Sequence, residues 1–113
     1  MNDKHIAKLN AALREFRGGR AFFNIYRDHT SNQFTLGLVS AEVGSEPAGV
    51  SFFNCEFLSG PTEWNQVDLQ ARGTICADGT PGFEVVDSRA GFLVRGSDSV
   101  TLGHTGEVIS ARE

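Results

Sequence analysis

The chain has 113 residues, 40% of them hydrophobic and 21% charged, with a formal net charge of −4. That length holds one domain, 1–113, with no room for a second independent core, and the composition is globular rather than disordered. An acidic balance argues against general nucleic-acid binding, which calls for a domain-wide excess of Lys and Arg.

The first element predicted is a helix over about residues 3–17. Asn2 or Asp3 can cap it, because a short side-chain oxygen accepts from the free N–H groups of the first turn. Ile6, Leu9, Leu13 and Phe16 fall on one stripe at helical spacing, with Ala12 beside them, and Lys4, Lys8, Ala11 and Glu15 lie opposite. Gly18-Gly19 supplies the stop. The stretch is also basic. Residues 1–27 hold six Lys and Arg against Asp3 and Glu15, a net +4, whereas the rest of the chain holds four Arg against twelve Asp and Glu, a net −8.

Strands are predicted from about residue 20 to about 110. Ala21–Arg27 and Gln33–Ser40 form a hairpin through a polar turn at 28–32, and Gly37 marks a bulge or a close backbone approach. Residues 42–49 read as a loop. Val50–Leu58 reads as one strand, with Phe53, Cys55 and Phe57 on one face and Phe52, Asn54, Glu56 and Leu58 on the other. After Ser59-Gly60-Pro61-Thr62, the Asn65–Arg72 segment alternates Val67, Leu69 and Ala71 against Gln66, Asp68, Gln70 and Arg72, one dry face and one wet. Phe83–Val86 and Gly91–Arg95 make a late hairpin, and Ser99–Leu102 and Glu107–Ile109 close the chain. The expected fold class is α+β: an amphipathic helix packed on one face of a mainly antiparallel meander or partly closed barrel of about seven or eight short strands.

The motifs exclude more chemistry than they offer. Cys55, between Phe53 and Phe57, reads as a buried structural thiol, and Cys76 as inert. His5, His29 and His104 lack paired-ligand spacing, so no metal or other cofactor is implied. Asp28-His29 reads as a polar turn rather than a base with its orienting carboxylate. No glycine-rich phosphate loop occurs. The N-terminus lacks the apolar run of a signal peptide and no stretch has the length to span a membrane, so a cytoplasmic setting with reduced thiols is expected.

By elimination, the sequence points to a small non-catalytic binding protein whose partner is another protein or a second copy of itself. By analogy alone, an inhibitory or toxin-neutralising role fits this profile. The expected contact surface is an acidic sheet carrying Glu56, Asp68 and Glu84, with Trp64 as a packed lid or an interface anchor. The alternative is a small-ligand-binding or enzymatic β-barrel with a Phe-lined pocket. A third reading sends the basic helix face, Lys4, Lys8, Arg14 and Arg17, to nucleic acid or an anionic surface.

Overall fold

A computed structural model describes residues 3–27, 32–42, 44, 46–103 and 106–110, the side chains of 25–27 excepted. The Asn2 cap, the Asp28-His29 turn and His104 lie outside the described residues.

Helix α1 (Asp3–Arg14) buries the predicted stripe: Leu9 and Leu13 are 0% and 1% exposed, and Phe16 is buried just beyond them. The helix ends three residues earlier than the periodicity suggests. After Arg14 the chain tightens into bonds of i to i+3 type, Phe16 N to Leu13 O and Arg17 N to Arg14 O, both 3.1 Å. That tighter turn keeps Phe16 on the buried side, so the apolar pattern outlasts the α-helix. Gly18 then takes a left-handed φ of 80° and redirects the chain.

Ten strands follow among the described residues: β1 (Arg20–Arg27), β2 (Gln33–Val39), β3 (Ala48–Phe52), β4 (Cys55–Ser59), β5 (Glu63–Asn65), β6 (Gln70–Ile75), β7 (Pro81–Asp87), β8 (Phe92–Gly96), β9 (Ser99–Leu102) and β10 (Glu107–Ser110). They form two antiparallel sheets, ordered β10-β9-β3-β2-β1-β5 and β4-β8-β7-β6, and do not close into a barrel. The β1–β2 and β7–β8 pairs are the hairpins the sequence suggests, and the two closing strands, β9 and β10, pair as a third.

The split into two sheets turns on Asn54. The single strand expected over 50–58 is two strands, because Asn54 adopts φ 55° and carries the chain from the larger sheet to the smaller. Asn visits this region at modest cost. The turn resets the alternation, so Phe52 and Cys55 are both buried while Phe57 is 48% exposed. The inner faces then meet through phenylalanine. Phe34 and Phe52 of the larger sheet lie 6.3 Å from Phe92 and 5.8 Å from Phe83 of the smaller, centroid to centroid. Gly37 is a close approach rather than a bulge: the Phe22 ring lies across it from the neighbouring strand, where a Cβ would stand.

The helix, expected to cover one face of a sheet, instead packs along β6 and touches β10, an edge strand of each sheet. The inner faces are already consumed by each other, so the apolar stripe fills the open side between the edges. Asn10 makes the junction specific. Its side-chain oxygen accepts from Ala71 N at 2.8 Å and its amide donates to Ala71 O at 2.9 Å, as a neighbouring strand would. Around this seam the basic segment meets the acidic body: Lys8–Glu107 at 2.6 Å, Arg17–Asp68 at 3.4 Å and Arg20–Glu63 at 2.7 Å. Among the described residues, no helix is long and apolar enough to cross a membrane.

Candidate functional site

The outer face of the four-stranded sheet concentrates the chemistry. Strand register aligns Arg72 on β6, Glu84 on β7, Arg95 on β8 and Phe57 on β4 as one row across all four strands. The next row is Gln70, Val86, Leu93 and Ser59. Because side chains alternate along each strand, these eight share one face, opposite the Phe83–Val85–Val94 side that fills the core.

Glu84 is the pivot of the first row. Only 6% exposed, it accepts from Arg72 Nε at 2.6 Å and from Arg95 Nε at 2.8 Å, one guanidinium for each oxygen. Burial pushes its carboxyl up, but the two guanidiniums outweigh that and hold it below the usual glutamate value. Arg95 reaches Glu56 at 3.6 Å and lies 5.7 Å from the centre of the Phe57 ring. Glu56 also accepts from Ala77 N at 3.0 Å. A bulge between Cys55 and Phe57 is what lets Glu56 and Phe57 reach the same arginine.

Glu56 and Glu84 are therefore brought together, through Arg95. Asp68 and Trp64 meet elsewhere, at Asp87. Asp87 is 1% exposed, and its Oδ2 accepts from Trp64 Nε1 at 2.8 Å and from Asp68 N at 2.9 Å, while Oδ1 accepts from Ala90 N at 3.3 Å. The half-buried indole rests 4.9 Å from the Phe92 ring. Of the helix cations, Lys8 and Arg17 are engaged with Glu107 and Asp68, and Lys4 and Arg14 are exposed with no ion pair among the described residues.

Both cysteines are buried and free. Burial pushes the Cys55 thiol up to about 12. The Cys76 thiol is raised too, first by burial and then by the Glu56 and Asp78 carboxylates. Neither setting favours a thiolate nucleophile. Among the described residues, no three His, Cys, Asp or Glu side chains converge as metal ligands would.

Comparison with protein-family models, curated proteins and solved structures finds no match.

Sequence reasoning missed Arg72, Arg95, Asp87 and Asn10. For Asn10 a signal existed: it lies four residues after Ile6 and three before Leu13, within the apolar stripe, where a polar side chain must find partners. Arg72, Glu84 and Arg95 each carry a local polar-face pattern, but which strand lies beside which is a long-range property.

Proposed function

We propose that this is a non-catalytic binding protein that meets another protein, or a second copy of itself, through the outer face of the four-stranded sheet. The observation that carries the reading is Phe57, 48% exposed on that face, with half-buried Val86 and Leu93 beside it. An aromatic ring set among aliphatic side chains and arginines has the composition of an interface centre. A groove of about 330 Å³ runs over this patch between Phe57, Ser59, Arg72, Val86 and Leu93.

Glu56, Asp68 and Glu84 enter this reading as supports rather than as contacts. Each is engaged with an arginine of its own chain, and Glu84 and Glu56 hold Arg95 in place beside Phe57. The reading of a small-ligand-binding or enzymatic barrel has less behind it, since Phe34, Phe52, Phe83 and Phe92 pack against one another in the interior.

Affinity capture with the wild-type chain and with Phe57→Asp, alongside sedimentation of each alone, tests the proposal. The wild type is expected to retain a protein partner or to self-associate, and the variant to lose that contact with its melting temperature unchanged. Equal capture and equal sedimentation by both chains would overturn the assignment of this face.

A further inference from the structure

The geometry points to a second site, a saccharide-binding groove at one end of the sandwich, between the β7–β8 turn and the segment that follows β5. The groove has a volume of about 300 Å³ and is lined by Trp64, Asn65, Gln66, Asp87, Arg89 and Ala90.

Its chemistry is that of a polar ligand on an aromatic support. The indole N–H is fixed by Asp87 and the ring is backed by Phe92, so the part of the indole facing the groove is held in one orientation. Around it stand the Asn65 and Gln66 amides and the Arg89 guanidinium. These three exposed side chains make no hydrogen bond or ion pair among the described residues. They offer planar donors and acceptors of the kind that take ring hydroxyls, while the indole suits the C–H face of a sugar ring. Convergent polar groups beside an apolar support are the usual make-up of a small-ligand site. Asp87 adds no free acceptor, because its two oxygens already take three donors. With one cation beside one buried carboxylate, the groove has no charge excess to select an anion.

Backbone strain gives an independent pointer. Three described non-glycine residues have positive φ: Asn32, Asn54 and Gln66. Asn tolerates that region, whereas Gln66, at φ 57°, has no short side chain to favour it. The strained residue is the one whose amide lines the groove. Its position is enforced from the next residue, where Val67 N donates to Gly19 O at 3.2 Å and Gly18 N donates to Val67 O at 2.8 Å. The groove is therefore preformed, and strain held in place by its surroundings is characteristic of binding sites.

Trp64 is the chain's single tryptophan, so its fluorescence reports this site directly. The experiment titrates the full chain with neutral gluco-, xylo-, manno- and chito-oligosaccharides, and with nucleoside monophosphates as the competing class. At least one oligosaccharide is expected to give a saturable change that added salt leaves in place, as suits an uncharged ligand. Asn65→Ala and Arg89→Ala are each expected to weaken it by about tenfold or more with the melting temperature unchanged. Gln66→Gly is expected to weaken binding while raising the melting temperature by relieving the left-handed strain. No saturable response to any oligosaccharide, a response only to nucleotides, or one that survives both alanine variants would overturn the inference. Phe57→Asp is expected to leave the titration intact, so the groove and the protein-binding face fail separately.

Discussion

Glu84 shows how one side chain can organise a surface. Its carboxylate sits between two guanidiniums on neighbouring strands, so it joins β6, β7 and β8 through side chains as well as backbone. Its folded pKa lies below the ordinary 4.5. A depressed carboxyl contributes stability that is fully present above the unfolded value and is lost as pH falls through the folded one. Glu84→Gln is thus expected to melt at a lower temperature than the wild type at neutral pH, and the gap is expected to close below about pH 4.5. Thermal melts of both chains across the acid range check this, and a gap independent of pH would show that the carboxylate's charge is not what stabilises the row. Removing the charge also leaves Arg95 less firmly placed over Phe57, which ties this residue to the proposed contact face.

At the scale of elements, the most informative contact is the helix imitating a strand. Asn10 occupies the backbone groups of Ala71 that β6 would otherwise present as a bare edge. Asn10→Ala leaves both groups without that partner and is expected to cost about 1–3 kcal/mol by urea denaturation, with faster aggregation as the edge opens. Asn10→Asp is expected to be nearly as damaging, since it can accept from Ala71 N but cannot donate to Ala71 O. The helix stripe, the hairpins and the burial of Val67, Leu69 and Ala71 were legible because each is a local periodicity. The single strand expected over 65–72 is broken, however, since residues 66–69 connect β5 in one sheet to β6 in the other. The corner at Asn54 was not, since one left-handed residue inside an apolar run leaves no trace in alternation. Nor were the β1–β5 and β3–β9 pairings, which join distant segments. The candidate site was legible only as separate residues. Glu56 and Glu84 stood out as polar-face acids, but Arg95, which joins them, required knowing the strand order.

For the whole molecule, the charge division between the first 27 residues and the remainder becomes a set of contacts across the helix seam and the first strand. Lys8, Arg17 and Arg20 each meet an acid far along the chain, yet all six side chains are at least 36% exposed. Exposed pairs contribute at most about 1 kcal/mol each, against about 2–5 kcal/mol for a buried leucine truncated to alanine. The apolar stripe, not the charge, therefore holds the helix. Replacing Lys8, Arg17 and Arg20 together with Gln is expected to lower stability by about 1–2 kcal/mol at low salt, and by less at high salt. Leu13→Ala alone is expected to exceed that loss, and denaturation of both variants at two salt concentrations decides between them. The same seam also constrains how the protein is made. A ribosome releases Asn10 long before Ala71, 61 positions later, and β10, the helix's other contact, later still. Until then Leu9, Leu13 and Phe16 lack their seat, so the helix cannot settle before β6 and β10 have emerged. The sandwich is thus expected to assemble before its first element docks, so the earliest of these segments is among the last to find its place.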